Sequence, residues 1–504
     1  MTQRRPNVLI IMYDQLTPWV LGHQGGPALS PNIDRLAAEG VVFDAAYTNS
    51  PLCTPARYCM MTGRLPSSTK GYDNAAYLAS TIPTFAHVAR RAGYRTVLSG
   101  KMHFVGPDQL HGFEERRTTD IYPADFGWTP DWRAPDERID WWYHNMDSVT
   151  GAGVAEVTNQ LLFDDEVGHH AVRALHDLVR SDDDGPFLLV ASFTHPHDPY
   201  VTRQEYWDRY ESVDIPMPAV TATDVDDDPH SRRLRVAVNE SVSTIEEHHI
   251  AAARRAYLGN VSYVDDWTGR LMSTLNGLDV ADDTVVIALA DHGDMLGERG
   301  LWYKMNFFEG SARIPLIVHS PRRFEPRRVG APVSLVDVLP TLTELVGASL
   351  DELIDRPAGE SLVGLCGGDA RDNRVVIGEY TAEGAVAPIL MIRRGPWKFV
   401  HCPADPDQLY NVVEDPAERV NLASDPAYVE QVAAWRAEVA GRWNVAELNG
   451  QVLADQARRR YVSEALRSGR YTPWDYTPPA DGAGSYMRNH LDLNDVERLA
   501  RWPR

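Results

Sequence analysis

The stretch Asn7–Gln15, NVLIIMYDQ, decides the predicted fold. Its aliphatic residues follow one another without a polar interruption, which is typical of a strand buried on both faces in the centre of a parallel sheet. The run ends in Asp14 and Gln15, so polar side chains follow directly on a buried strand. The stretch therefore predicts a central strand with a polar site at its carboxyl end.

Similar units recur along the chain. A helical pattern over 84–93 leads into an apolar run at 94–100, and further buried strands are predicted at 185–193 and 284–290, with a long helix over 245–277 between them. This alternation predicts an α/β fold, in which helices flank a large, mixed, mostly parallel sheet.

Each of the later strands is also followed by residues that can bind anions, protons or metals. In chain order these residues are Lys101 and His103, His195 and His197, and Asp291 and His292. Because the carboxyl ends of parallel strands meet at one edge of an open α/β sheet, where ligands bind, we expect these side chains to share one site.

The pattern changes after about residue 365. Short apolar runs there predict antiparallel strands, and two helical patterns follow near 425–441 and 450–467. We predict three parts: a main domain over 1–365, a smaller C-terminal α+β subdomain with an antiparallel sheet over 366–450, and a helix with an extended tail over 451–504 that joins copies of the chain.

The composition excludes some classes of protein. The 504 residues carry a formal net charge of −22, which argues against a surface that binds nucleic acid. No apolar run approaches the ~18–20 residues of a membrane span, and Val8–Met12 is too short for the core of a signal peptide. With four cysteines and no export signal, we expect a cytoplasmic protein with reduced thiols.

Two strand ends offer a metal-binding set. Asp14 and Gln15, together with Asp291 and His292, supply oxygen ligands and one nitrogen, which suit Ca²⁺, Mg²⁺ or Mn²⁺ better than structural zinc. A strand-end aspartate is more often a helix cap, so neither pair alone predicts much. Both pairs at one sheet edge favour a metal site.

Basic residues accompany these carboxylates. Lys101 and His103 lie two apart, and on an extended segment they would point the same way, which suits anion binding with proton transfer. The prolines of THPHDPY predict a rigid turn that aims His195 or His197. Lys304 follows Asp291 in a glycine-containing segment, for which a plain surface loop is the alternative.

Cys53 opens the segment CTPAR. A thiolate nucleophile needs a lowered pKa and a neighbouring base, and Arg57, one helical turn away, cannot accept a proton. A small buried cysteine is the commonest alternative. Neither interpretation explains why Pro55 and Arg57 stand at these offsets.

Cys53-Thr54-Pro55-Ala56-Arg57, followed by Thr62-Gly63-Arg64, resembles the C-x-P-x-R…T-G-R signature of the sulfatase family within the alkaline-phosphatase superfamily. The resemblance implies that a formylglycine-generating enzyme converts Cys53 to Cα-formylglycine, whose hydrate is the nucleophile. It extends in family order over residues 6–320, and it implies a sulfatase-like fold with a catalytic domain over 1–365.

The segments YDNAA (72–76), RIDWWYHN (138–145) and YMRNHLDL (486–493) resemble the choline-sulfatase subgroup of that family. This closer resemblance implies choline-O-sulfate as the substrate and a homo-oligomer, either a tetramer or a dimer. It implies one divalent metal ion, with Ca²⁺ ahead of Mg²⁺ and Mn²⁺.

The resemblance also implies roles for single residues. The implied metal ligands are Asp14, Gln15, the formylglycine at Cys53, Asp291 and His292, and Gln15 and His292 depart from the aspartate and asparagine of the commonest sulfatase pattern. The other implied catalytic residues are Arg57 and Lys101 on the hydrate and sulfate oxygens, His103 as the base when the sulfated intermediate collapses, and His197 and Lys304 beside the ester oxygen.

A trimethylammonium group calls for aromatic faces and a carboxylate. The residues predicted to bind the substrate are Asn74, Trp128, His144 and Glu383. Core packing is the alternative for Trp128, and a plain surface acid is the alternative for Glu383.

Three other functions stay open at this point. The chain could be a phosphonate monoester or phosphodiester hydrolase, or an aryl sulfatase, of the same superfamily. It could also be an inactive protein that binds sulfate esters, against which the intact CTPAR signature argues.

Overall fold

The computed structural model describes residues 5–135, 137–139, 142–181, 185–226, 228–242, 244–369 and 373–470. Its strands are, in chain order, β1 (Asn7–Asp14), β2 (Val41–Phe43), β3 (Ala46–Tyr47), β4 (Arg95–Gly100), β5 (Glu115–Arg116), β6 (Gly153–Val154), β7 (Phe187–Pro196), β8 (Val201–Thr202), β9 (Thr284–Ala290), β10 (Leu316–His319), β11 (Arg327–Val329), β12 (Val333–Ser334), β13 (Val375–Tyr380), β14 (Ile389–Arg394), β15 (Trp397–Cys402) and β16 (Asp405–Asn411).

An eight-stranded sheet forms the centre, in the order β11-β2-β10-β9-β1-β7-β4-β5. β1 pairs in parallel with β7 on one side and β9 on the other, and β4 pairs in parallel with β7. β10 runs antiparallel to both its neighbours, so the sheet is mixed and mostly parallel, as predicted. The predicted fold class is confirmed.

The helices are α1 (Pro31–Glu39), α2 (Cys53–Thr62), α3 (Pro66–Thr69), α4 (Phe85–Arg91), α5 (Asp147–Thr150), α6 (Asn159–Val179), α7 (Gln204–Asp208), α8 (Pro229–Ala237), α9 (Glu247–Gly277), α10 (Glu309–Ala312), α11 (Val338–Leu345), α12 (Val363–Gly367), α13 (Val429–Arg442) and α14 (Val445–Arg467). One group, α1, α6 and α9, packs together and onto the sheet, and α2, α4 and α11 form a second group. Helices therefore flank the sheet.

The strand β1 owes its central place to its side chains. Every residue from Val8 to Asp14 is buried, as the unbroken aliphatic run predicts. The carboxyl ends of β9, β1, β7 and β4 lie side by side, because these strands are consecutive neighbours and parallel. The predicted convergence of four strand ends is thus a property of the fold.

A second sheet, β13-β14-β15-β16, is antiparallel throughout and contains the three predicted C-terminal strands together with a fourth, β16. The last helix, α14, begins at Val445, earlier than the predicted 450, because the Asn444 side chain accepts a hydrogen bond from the Glu447 N–H and caps it. Residues 471–504, most of the predicted tail, lie outside the described residues.

None of the helices that the structure describes combines the length and the apolar character that crossing a membrane requires.

Candidate active site

Cys53 is the first residue of α2, a helix whose residues are all buried. The residue before it, Leu52, offers no side-chain cap, and the N–H of Thr54, in the first turn of the helix, instead donates to Oδ1 of Asn74, 3.0 Å away. Asn74 thus caps α2 from a separate loop. The helix ends at Gly63, whose φ of +66° favours glycine and explains this residue of the T-G-R motif.

Arg57 joins the carboxylates of two strand ends. Its Nε donates to Asp291 Oδ2 at 2.9 Å, and its Nη2 donates to Asp14 Oδ2 at 2.8 Å. All three side chains are fully buried. Burial disfavours the charge of the guanidinium, but Asp291 and Asp14 hold the pKa of Arg57 above its ordinary value.

Lys101 adds a second cation to the same carboxylate. Its Nζ forms an ion pair with Asp14 Oδ2 and lies 4.3 Å from the centre of the Tyr122 ring. Burial favours the protonated acid, yet Lys101, His197, Arg57 and His292 together hold the pKa of Asp14 well below its ordinary value. Asp14 is therefore an ionised carboxylate surrounded by cations and imidazoles.

Four ligand atoms lie within 4.8 Å of one another. They belong to Asp14, Cys53, Asp291 and His292, all buried. The ring Nδ1 of His292 lies 3.1 Å from the carbonyl oxygen of Gly293, to which it donates, so Nε2 keeps its lone pair and lies 3.3 Å from Cys53 Sγ. Burial lowers the pKa of His292 to about 4. Two carboxylates and a neutral imidazole form a donor set that fits a hard divalent cation.

We call Asp14, Cys53, Arg57, Lys101, Asp291 and His292 the Cys53 cluster. Among its members the thiol has an altered acidity: burial and Asp14 oppose ionisation, but Lys101, Lys304 and His103 lower the pKa of Cys53. The sequence around Cys53 contains no base, whereas the fold brings the His292 ring next to it.

Gln15 is the predicted metal ligand with the most other partners. Its backbone N–H donates to Asp291 Oδ1 at 3.0 Å, and its Nε2 donates to Asp294 Oδ2 at 2.6 Å. Its Oε1 accepts a hydrogen bond from Lys304 Nζ. The amide therefore joins β1 to the Lys304 segment, and its role as a metal ligand stays a prediction.

His103 lies beside Cys53, but on a segment that differs from the predicted one. The residue adopts a φ of +60°, in the left-handed region, so the segment is not extended through His103 as we expected. Asp120 holds this segment by accepting from the N–H groups of Met102 and His103, at 3.1 and 2.7 Å. Burial lowers the pKa of His103, while the neighbouring Cys53 opposes this shift.

The two histidines of THPHDPY point to different places. His195 lies within β7, which extends to Pro196, and its Nδ1 contacts Asp164 Oδ2 of α6 at 2.7 Å. His197 faces the site, with its Nε2 2.9 Å from Lys304 Nζ. Its Nδ1 lies 2.7 Å from the carbonyl oxygen of Asp198, an acceptor only, so Nδ1 carries the ring proton and Nε2 accepts from Lys304.

Aromatic rings form a continuous wall between His103 and His197. Ring centroids are 5.9 Å apart for His103 and Trp128, 5.6 Å for Trp128 and Trp142, 5.4 Å for Trp142 and His144, and 5.0 Å for His144 and His197. The wall is thus made by side chains from separate loops, with Trp128 and His144 both included. Core packing and ligand binding both remain compatible with this wall alone.

Glu383 differs from the other buried acids. It is 5% exposed, and neither carboxylate oxygen has a hydrogen-bond partner among the residues that the structure describes. Burial raises the pKa of Glu383 well above its ordinary value, and Asp73 adds to the shift while Arg459 opposes it. The backbone beside it is tied to the tryptophan loop, because Trp132 Nε1 donates to Ala382 O at 3.0 Å. We use the name aromatic pocket for Trp128, Trp142 and His144 together with Glu383, which we predict to face the same ligand.

Sequence reasoning missed several residues of the site. Asp198 accepts from the His144 ring at 3.1 Å, and burial raises the pKa of Asp294, beside Gln15, to about 6. Tyr122 covers Lys101. Asp198 stands inside THPHDPY, and Asp294 stands three residues after Asp291 in the glycine-containing segment, so both lie in segments that the sequence singled out.

Comparison with known proteins places this geometry in a family. A family model described as "Sulfatase" matches residues 6–348, and one described as "Choline sulfatase enzyme C terminal" matches residues 450–502. The choline-sulfatase of Rhizobium meliloti (strain 1021) is 51% identical over 514 residues, with 100% of each chain covered. An uncharacterized sulfatase of Escherichia coli (strain K12), YidJ, is 30% identical over 436 residues, or 85% of each chain.

The fold is shared with solved structures of lower identity. The phosphonate monoester hydrolase of Agrobacterium radiobacter superposes with a TM-score of 0.67 at 23% identity, covering 89% of this chain and 96% of that one. A likeness at this identity concerns the fold alone. The family model spans most of the chain and the 51% identical relative spans all of it, so the chain belongs to the sulfatase family.

Proposed function

We propose that the chain hydrolyses choline-O-sulfate to choline and sulfate, as a choline-sulfatase. The observation that supports this substrate most directly is Glu383, a buried carboxylate without a hydrogen-bond partner among the described residues. A buried carboxylate is costly unless a cation pairs with it. A trimethylammonium group against the aromatic pocket supplies that cation, whereas an aryl sulfate or a phosphodiester, which are anions without a cationic group, does not.

The similarity to the choline-sulfatase of Rhizobium meliloti supports the same substrate, because the match extends over both chains without a missing domain. The match of residues 450–502 to a choline-sulfatase C-terminal model supports it independently of the sulfatase signature.

Two groups complete the site in this proposal. Asp14, Asp291, His292 and the group derived from Cys53 would hold a divalent cation, with Gln15 beside it, and Ca²⁺ is proposed ahead of Mg²⁺ and Mn²⁺. When bound, such a cation supplies positive charge that stabilises developing negative charge. Formylglycine at position 53, made by a formylglycine-generating enzyme, would supply the nucleophilic hydroxyl.

The chain's own cations bind the sulfate. Lys101 and Lys304 both lower the pKa of Cys53 and so lie at its reacting end. Preorganised ammonium groups in a dry site stabilise charge on sulfate oxygens without reorganising during the reaction. Arg57 is engaged by both carboxylates, so its direct effect is to hold Asp14 and Asp291 in place, and its contact with sulfate stays a prediction.

Lys304 and His197 supply the proton that the leaving alcohol requires. Lys304 Nζ donates to His197 Nε2 at 2.9 Å, so the proton lies between the two nitrogens. Burial and Lys304 hold the pKa of His197 well below its ordinary value, which leaves the ring neutral and the proton on Lys304. The pair can therefore protonate an alkoxide that develops beside Nζ.

His103 is the proposed base on the other side of Cys53. The ring of His103 is buried next to Cys53, and burial lowers its pKa, which keeps the ring neutral at physiological pH. A neutral imidazole with a free lone pair can accept a proton from a group at position 53.

Competing substrates test the proposal. The kcat/KM of choline-O-sulfate would be compared with that of three other esters: 3,3-dimethylbutyl sulfate, in which carbon replaces the ammonium nitrogen, 4-nitrophenyl sulfate, and a phosphodiester. We expect a preference for choline-O-sulfate over its isostere of about tenfold or more, because only the cation pairs with Glu383. A preference for the phosphodiester would favour the phosphodiesterase alternative, and tight binding without turnover would favour the inactive binding protein.

Further proposals concern the organisation of the chain and its location in the cell. We propose that 1–365 is the catalytic domain, that 366–450 is the C-terminal subdomain, and that 451–504 joins copies into a dimer or tetramer. Light scattering of the full chain and of a chain ending at residue 470 tests the last of these: equal masses for both would contradict it. We also propose that the protein is cytoplasmic, which cell fractionation tests.

A further inference from the structure

The C-terminal helix α14 carries a buried arginine that bonds to residues of two other segments of the chain. Arg459 is 5% exposed, and its two terminal nitrogens donate to the two oxygens of Asp73 at 2.6 and 2.7 Å. Nη1 also donates to Thr129 Oγ1 at 3.1 Å, and Nε donates to Asp455 Oδ2 at 2.7 Å. One guanidinium therefore fixes two loops at once.

Both loops lead directly into the active site. Asp73 precedes Asn74, whose Oδ1 caps the N-terminus of α2 at Thr54. Thr129 follows Trp128 of the aromatic pocket. A shift of Arg459 would consequently move the cap of the Cys53 helix and one wall of the pocket together.

The loop that carries Glu383 is tied to the same assembly. Gln456, one turn before Arg459, accepts from the backbone N–H of Trp132 at 3.2 Å, and Trp132 Nε1 in turn donates to Ala382 O. Thr381 Oγ1 donates to Tyr72 O at 2.9 Å. The loops around 73 and 129 thus bond to α14, and the loop around 382 bonds to both of them.

Arg459 also sets the charge near the pocket. Asp73 and Glu383 are both buried acids, and the charge on Asp73 opposes ionisation of Glu383 whereas that on Arg459 favours it. With the guanidinium in place, Asp73 is neutralised by two charge-assisted hydrogen bonds, and Glu383 is the carboxylate left to receive a cation. Without it, two uncompensated acids would lie close together, which favours protonation of one of them.

We propose that Arg459 is a positioning residue that determines specificity for a cationic substrate, acting through Asp73, Asn74 and Thr129 from the C-terminal helix. This inference rests on the proposed function, since it assumes that Glu383 receives the cation. The substrate it favours is a sulfate ester with a quaternary ammonium group two carbons from the ester oxygen.

A buried ion pair can also serve stability alone, and the test must separate the two roles. Loss of stability lowers the amount of folded enzyme and affects all substrates equally. Loss of specificity changes the ratio of kcat/KM for choline-O-sulfate to that for 3,3-dimethylbutyl sulfate, which differ in the charge alone. This ratio is the readout.

The variants are Arg459→Met, the double variant Asp73→Asn with Arg459→Met, and the control Arg374→Met. Arg374 is also largely buried and pairs with a buried acid, Asp337, at 2.7 Å. We expect Arg459→Met to reduce the ratio by about tenfold or more, chiefly through KM. The double variant should recover part of the ratio because it removes the repelling charge, and Arg374→Met should leave the ratio unchanged.

The outcomes are distinct. A wild-type enzyme without preference for choline-O-sulfate would contradict the proposed function itself. A wild-type preference that Arg459→Met retains, or that Arg374→Met loses to the same extent, would overturn the inference alone. If Arg459→Met does not fold, Arg459→Lys is measured instead: it keeps one charge but not the two-pronged bond, so a reduced ratio supports the inference and an unchanged ratio contradicts it.

Discussion

The Cys53 cluster and the aromatic pocket are both buried but differ in how their charges are paired. In the cluster, Asp14 and Asp291 each contact a cation, and Arg57 bonds to both. In the pocket, Glu383 has no hydrogen-bond partner among the described residues. A site with its charges paired keeps its shape before substrate arrives, whereas an unpaired buried carboxylate gains most when a cation enters.

This difference indicates that the two parts of the substrate, the sulfate group and the alcohol, bind in separate regions. The cluster offers cations and imidazoles to a sulfate group, and the pocket offers aromatic faces and one carboxylate to the rest of the ester. Changes in the cluster should therefore affect turnover of every sulfate ester, and changes in the pocket should affect the choice between esters.

The largest effect is expected from Cys53→Ala. Because the group at position 53 is the proposed nucleophile, we expect kcat to fall by at least ~10⁴-fold for sulfate esters with and without an ammonium group alike. Steady-state kinetics measure this, and circular dichroism should show an unchanged fold. The matched control is Cys59→Ala, on the same helix, where burial raises the pKa of an inert thiol. Substantial turnover by Cys53→Ala would refute the nucleophile assignment.

Arg57→Met should break the charge balance of the cluster. Removing one cation leaves two buried carboxylates undercompensated, and we expect the free energy of unfolding to fall by about 3–5 kcal/mol. Urea denaturation in the presence of a chelator measures this without compensation by a bound metal. Arg91→Met, which breaks the exposed pair with Glu352, is the control and should change stability by at most about 1 kcal/mol. Equal effects would mean that the cluster is not held by this pairing.

Glu383→Gln should weaken the pocket without harming the cluster. We expect KM for choline-O-sulfate to rise by about 10- to 100-fold, because the counter-charge is lost, with little change for 3,3-dimethylbutyl sulfate. Glu379→Gln is the control, since Glu379 is buried but accepts from Ser67 and Trp443. Equal changes in KM for both substrates would remove Glu383 from the cation site.

The smallest effect is expected in the pH dependence of the preference between substrates, which should distinguish the aromatic pocket from the Cys53 cluster. Burial raises the pKa of Glu383, so its carboxylate is lost at a higher pH than that of an ordinary glutamate. As pH falls through this raised pKa, the acid becomes neutral and the preference for choline-O-sulfate over its isostere without the ammonium charge should decline. The ratio of kcat/KM for the two substrates is measured against pH, so that titration of the shared cluster cancels. A decline of the same size in Glu383→Gln would contradict this assignment.

The same contrast explains what the sequence could predict. The cluster lies at the ends of parallel strands. A buried run such as Asn7–Asp14 predicts a central strand, so the convergence of Asp14, Lys101 and Asp291 followed from the topology. The direction in which each histidine ring points could not be predicted from the topology. His195 and His197 differ by two positions, and only tertiary contacts with Asp164 and Lys304 separate their roles.

The pocket was far less predictable from the residues themselves. Its parts come from loops around 128, 144 and 383, which have no periodicity, and they were identified through resemblance to a family subgroup. The arginine that ties these loops together, Arg459, lies on a helix where a charged residue is ordinarily solvent-exposed. Burial of such a residue is set by packing between distant segments, which a single sequence does not display.

The central claim is that Cys53 is the precursor of an aldehyde and not a working thiol. Mass spectrometry of the peptide that contains Cys53, from enzyme made together with a formylglycine-generating enzyme, tests it most directly. We predict a peptide lighter by the difference between CH₂SH and CHO, in a fraction that rises in proportion to kcat across preparations. Full activity in a preparation whose Cys53 peptide keeps the unmodified mass would contradict the claim.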